Sequence, residues 1–69
     1  LGKYEEAIKC YDKSLEINPN YALAQTNRGN ALSILGKYEE AIKCYDKSLE
    51  INPNYALAKT NKEILIDKC

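Results

Sequence analysis

Few residues in this 69-residue chain have the chemistry to do more than pack. Three are thiols, Cys10, Cys44 and Cys69, and four are glutamates in the adjacent pairs Glu5–Glu6 and Glu39–Glu40. Zinc ligation needs clustered thiolates and imidazoles, and this chain has no histidine and no CxxC pair. Adjacent carboxylates inside a helical charge pattern diverge toward solvent, so each glutamate pair reads as a solvated face rather than a general acid and base. Gly2, Gly29 and Gly36 are isolated and form no phosphate-cradling loop. No serine or cysteine has a base at a recognisable spacing. These residues therefore predict a non-enzyme that uses no cofactor and no metal. An odd number of thiols leaves at least one free; they read as reduced, half-buried helix residues of a cytoplasmic protein. A disulfide between chains through Cys69 is the alternative.

Ten basic residues balance ten acidic ones. Without a basic stripe, the sequence excludes nucleic acid and an anionic membrane surface as partners. No apolar run approaches the roughly 20 residues that span a bilayer, and no signal-peptide pattern opens the chain. A chain this short buries roughly 60% of its unfolded surface, enough for one small domain whose stability gains from self-association.

The elements that position these residues follow from a repeat. Leu1–Ala24 and Leu35–Ala58 are letter-for-letter identical, at an offset of 34 residues. Such a period marks stacked units that cannot bury their apolar faces alone. Tyr4, Ala7, Ile8, Tyr11, Leu15 and Ile17 recur at helical spacing, predicting a helix from Gly2 or Lys3 to Ile17. Asn18-Pro19-Asn20 stops it, because proline cannot continue a helix and disfavours helical backbone before it. Asn20 is then placed to cap a second helix over Tyr21–Leu35. Gly29 inside that helix costs about 1 kcal/mol relative to alanine and marks the approach of another backbone. Gly36 supplies a left-handed turn, Lys37–Ile51 repeats the first helix, and Tyr55–Cys69 forms a fourth. The prediction is all-α, with four helices joined by short turns and sequential neighbours antiparallel.

These residues resemble the tetratricopeptide repeat (TPR), a helix–turn–helix unit of 34 residues. Gly29, Gly36, Tyr38, Ala41, Tyr45, Leu49 and Pro53 stand at the spacings of that pattern, and Gly2, Tyr4, Ala7, Tyr11, Leu15 and Pro19 match its second half. The resemblance implies a helix-turn-helix solenoid with helices in the order B, A, B and capping A. Residues 1–17 are then helix B of an incomplete repeat, 21–52 a complete repeat, and 55–69 a C-terminal capping helix, all within one array fragment. In the family's own frame the complete repeat is Ala22–Tyr55. Gly29 and Ala41 would let the paired helices approach, while Tyr45 and Leu49 would fill the space between repeats. Gln25, Arg28 and Ser48 depart from the family pattern, as do Lys59, Lys62 and Glu63. Glu63 replaces the helix-A glycine, so Tyr55–Cys69 is expected to be a solvating cap.

In function the resemblance implies a protein-binding scaffold that takes a peptide or helix in the groove lined by the A helices. Carried over by position, that groove presents Leu23, Thr26, Asn27, Asn30 and Ser33, with Leu57, Thr60, Asn61, Ile64 and Asp67 from the last helix. Asn30 and Asn61 stand where some relatives clamp a C-terminal carboxylate, but Thr26 replaces a lysine and most cationic partners are missing. Bonding within the stack is the competing role for these asparagines. The alternative function is a self-assembling module. The first helix lacks its own helix A, which leaves Tyr4, Ala7, Ile8, Tyr11 and Leu15 open to a second copy, head to tail or domain-swapped. The perfect internal identity and the mid-repeat start point to an excised or engineered fragment of a natural array.

Overall fold

The computed structural model describes residues 2–68 and consists of four helices. They are α1 (Lys3–Ile17), α2 (Ala22–Ile34), α3 (Tyr38–Ile51) and α4 (Ala56–Lys68). Each packs against its sequence neighbour, and α2 also meets α4. The result is a flat slab of 27 × 27 × 15 Å. The expected helices are all present, each within a residue or so of its expected ends.

The turns are set by local chemistry. After α2 the chain closes a Schellman motif: the Lys37 N–H donates to the Leu32 carbonyl at 2.9 Å and the Gly36 N–H to Ser33 at 3.0 Å. The motif needs left-handed backbone at Gly36, whose φ of 83° suits glycine. The proline turns work differently from expectation. Asn20 makes no cap bond, and Tyr21 is the residue at the helix N-cap. Instead Asn18 Oδ1 accepts from the Asn20 N–H at 3.2 Å, and Asn52 Oδ1 does the same for Asn54 at 3.3 Å. The asparagine before the proline thus folds its own turn as an Asx motif, and the helix begins one residue later than expected, so Asn20 stands just outside the capping position.

The core is Leu32 of α2, Ala41, Cys44 and Tyr45 of α3, and Ala58 and Leu65 of α4, flanked by half-buried Ile8, Tyr38, Ile42, Leu49 and Tyr55. Gly29 is buried against the Tyr45 ring: a Cβ there would lie 2.7 Å from Tyr45 Cε1. The close approach that Gly29 permits is therefore to an aromatic side chain, not to a backbone. Three of the residues that depart from the family pattern, Arg28, Ser48 and Lys62, are accommodated by polar contacts. Thr26 and Ser48, both fully buried, share a hydrogen bond of 2.8 Å. Ser48 donates its single proton to the Ala22 carbonyl at 2.9 Å. Thr26 must therefore be the donor to Ser48. Arg28 pairs with Asp12 at 2.6 Å, and Lys62 pairs with Asp46 at 2.6 Å, 34 residues later. Glu63 stands exposed on α4, as a solvating cap requires.

Candidate peptide-binding groove

The groove is built where α2 and α4 lie side by side over α3. Asn30, Ser33 and Ile34 come from α2, Asn61, Ile64, Leu65 and Lys68 from α4, and Tyr45 rises between them from α3. Together they line an open cavity of about 310 Å³. Tyr45 reaches it because Gly29 leaves room for its ring; its hydroxyl then donates to Asn30 Oδ1 at 2.5 Å. Asn61 Nδ2 donates to the same oxygen at 2.9 Å. Two donors on one carbonyl fix the Asn30 carboxamide. What Asn30 offers a ligand is its pair of N–H donors, and what Asn61 offers is its carbonyl oxygen. One donor and one acceptor from adjacent helices match the C=O and N–H of an extended peptide.

Burial raises the Tyr45 phenol above its ordinary range, so it stays protonated and donating at neutral pH. Burial likewise raises the Cys44 thiol, against the opposing pull of the Arg28 guanidinium, whose Nη1 lies 2.9 Å from Cys44 Sγ. Arg28 itself is held above its ordinary value: partial burial works against its charge, and Cys44 and Asp12 outweigh that. Cys44 is thus a buried thiol paired with a cation, while Cys10 is exposed. The expectation of two equivalent half-buried thiols is corrected on both counts. Cys69 and the interchain disulfide proposed for it lie outside the described residues.

The expected groove residues divide into three groups. Asn30, Ser33, Asn61 and Ile64 come together in the cavity. Leu23, Leu57 and Thr60 are exposed on the A helices outside it, as is Asp67, and Asn27 lines a neighbouring groove against α1. Thr26 does not belong to any binding surface: it is fully buried and bonded to Ser48. That correction has a simple cause. The residue facing Ser48 is fixed by how α3 rolls against α2, which the sequence of α2 alone does not contain. Tyr45, Ile34, Leu65 and Lys68 were not expected in the groove. Ile34 and Lys68 could have been found from the i, i+4 and i, i+7 spacing to Asn30 and Asn61. Ile8 also needs correction as a self-association residue, because it packs against the core. Tyr4, 44% exposed, and half-buried Ala7 and Tyr11 line the groove beside α1, and Leu15 is half-buried.

Two A-type and two B-type helices in alternating layers, repeating one ion pair at a fixed period, define a helix–turn–helix repeat protein. A tetratricopeptide repeat profile matches residues 22–55, and a second profile, described as TPR repeat, matches residues 1–33. The chain belongs to the tetratricopeptide repeat family. A search of curated proteins finds no match to it. Domains of this family mediate protein–protein interactions. Among the described residues no helix is long and apolar enough to cross a membrane.

Proposed function

We propose that the chain is a non-enzymatic scaffold that binds a peptide or helix in the groove between α2 and α4. The observation that carries this reading is the fixed Asn30–Asn61 pair over the Tyr45 hydroxyl. It presents a donor and an acceptor at the mouth of a cavity with apolar walls from Ile34, Ile64 and Leu65. The asparagine pair holds the ligand backbone, and Ile34 and Ile64, both at least half exposed, contact its apolar side chains. Lys68 at one end favours an acidic residue or a free carboxylate there. Leu23 and Leu57 extend the apolar strip beyond the cavity. A single lysine does not make a carboxylate clamp, so recognition rests on backbone and apolar contacts. This reading is preferred over head-to-tail self-assembly, because Glu63 occupies on α4 the register that must be glycine for close packing on a tyrosine.

The test is selection from a random peptide library followed by amide shift mapping of the bound complex. Binding should perturb Asn30, Asn61 and Ile64 and be lost in Asn30→Ala. Shifts confined to the opposite face would sink the proposal.

A further inference from the structure

The residues lining the α2–α4 groove include one charged side chain, Lys68, in the last turn of α4. Among the described residues Lys68 pairs with no carboxylate, whereas Lys62 on the same helix is taken up by Asp46. The Lys68 ammonium lies instead over the ring of Tyr38, 6.0 Å from its centroid. Tyr38 is the first residue of α3 and is half-buried, packed against the core. Its ring is therefore a fixed platform whose negative π-face attracts the cation at this distance. One period earlier, Tyr4 and Ile34 stand at the Tyr38 and Lys68 positions and line one cavity together. In both copies, then, the tyrosine that opens a B helix stands beside the last turn of the next A helix. What differs is the side chain it receives, isoleucine in one and a cation in the other.

The surroundings give the second contact a consequence. The last turn of α4 is the negative end of its dipole, and exposed Asp67 adds a carboxylate beside Lys68. With Lys68 swung into solvent, this end of the groove would carry negative charge. In the conformation that lines the groove, the ammonium is over Tyr38 and offsets it. Taking that groove as the peptide site, a reading on which this one rests, we propose that Tyr38 is a positioning residue. It holds the Lys68 ammonium at the groove end, so that this end selects an acidic side chain over its neutral isostere. Tyr38 does not line the groove and acts only through Lys68.

The test uses two random hexapeptide pools, capped at both ends and otherwise uncharged, that carry a single Glu or a single Gln. At low salt the full chain should retain the Glu pool about threefold better than the Gln pool, the size of an exposed ion pair. Lys68→Gln should abolish the preference. Tyr38→Phe keeps the ring face and should keep the preference. Tyr38→Leu should cut it to about 1.5-fold or less, with retention of the Gln pool unchanged. In the free chain, ring current should place the Lys68 ε-methylene protons upfield of those of the other lysines. That shift should survive in Tyr38→Phe and disappear in Tyr38→Leu. An ordinary Lys68 shift in the wild type would overturn the positioning role and leave the groove reading intact. So would an unchanged preference in Tyr38→Leu, or loss of both pools together in that variant. Equal retention of the two pools by the wild type would overturn the acidic selectivity. If neither pool is retained, or if Asn30→Ala retains both as the wild type does, the groove is not the site and both readings fall.

Discussion

Helices α1 and α3 share fifteen consecutive letters, from Lys3 and from Lys37, yet differ in almost everything that burial controls. In α3, Ala41, Cys44, Tyr45 and Ser48 are buried; in α1, their counterparts Ala7, Cys10, Tyr11 and Ser14 are not. Propensity, C-cap asparagine and charge pattern are equal, so none of them causes the difference. Only the neighbours differ: α3 lies between α2 and α4, and α1 touches α2 alone. In a repeat protein a residue's energetic weight thus comes from the number of faces its helix has covered, not from its type. The two helices make an internal control in which each substitution can be made twice in one molecule.

The largest difference is expected at the tyrosines. Tyr45→Ala removes a ring that is 1% exposed and packed on Gly29. It should cost about 3–5 kcal/mol, in line with other large-to-small aromatic truncations. Tyr11→Ala, on the uncovered face, should cost about 1 kcal/mol or less. Urea denaturation of the two variants gives the comparison. Equal losses would mean that α1 is covered in solution.

The hydroxyls come next. Ser48→Ala strips the Thr26 proton of its acceptor in a fully buried site and should cost about 1–3 kcal/mol. Ser14→Ala should stay within about 0.5 kcal/mol of zero. Pairing Ser48→Ala with Thr26→Val should recover part of the loss, because the orphaned donor leaves with it. A strictly additive double variant, measured in the same denaturation series, would argue against the shared hydrogen bond.

These contrasts also show what the sequence could and could not reveal. Helix ends, the Gly36 turn and the repeat register are local or periodic properties, and the letters carry them. Burial is not local. No reading of Lys3–Ile17 can distinguish it from Lys37–Ile51, and only the order of elements suggested that the first helix lacked a cover. Within the groove, Asn30, Ser33, Asn61 and Ile64 were legible from position in the repeat. Thr26 was misassigned because its direction depends on α3. Tyr45 was missed because it enters the groove from the other layer, through a gap that Gly29 leaves. The Asn20 cap failed for a local reason, since α2 takes Tyr21 as its N-cap and leaves Asn20 one residue outside it.

A smaller effect is expected from pH. Burial raises the Cys44 thiol above its ordinary 9.0 and the Tyr45 phenol above its ordinary 10.0. The unfolded chain releases these protons first, so at high pH it binds fewer protons than the folded chain. Stability then falls as pH rises. Their contribution is complete below the ordinary thiol value, declines through 9.0 and 10.0, and is lost once the raised folded values are passed. Denaturation midpoints collected from neutral to alkaline pH should show this decline. The slope should flatten in Cys44→Ala; a slope unchanged by that substitution would place the titration elsewhere.

The smallest effect sharpens the comparison most, because it is an ion pair that both helices make. Asp12 of α1 meets Arg28 of α2, and Asp46 of α3 meets Lys62 of α4, each at 2.6 Å. The carboxylates are about equally exposed, at 52% and 50%, so solvent screens the two pairs alike. Each should contribute about 0.2–1 kcal/mol, and less as salt is added. Asp12→Ala and Asp46→Ala should therefore cost nearly the same, unlike the tyrosine and serine pairs. Any excess is expected on the Asp12 side, because Arg28 also contacts Cys44 and would lose part of what orients it. Near-equal losses at low salt that shrink together at high salt would show that α1 and α3 are energetically the same helix on the face each turns to the following A helix. The whole of their difference then lies on the opposite face, the one α2 covers on α3. If Asp46→Ala proved neutral while Asp12→Ala did not, the α3–α4 contact would be looser than its copy. The fourth helix would then be a detachable cap rather than a wall of the groove.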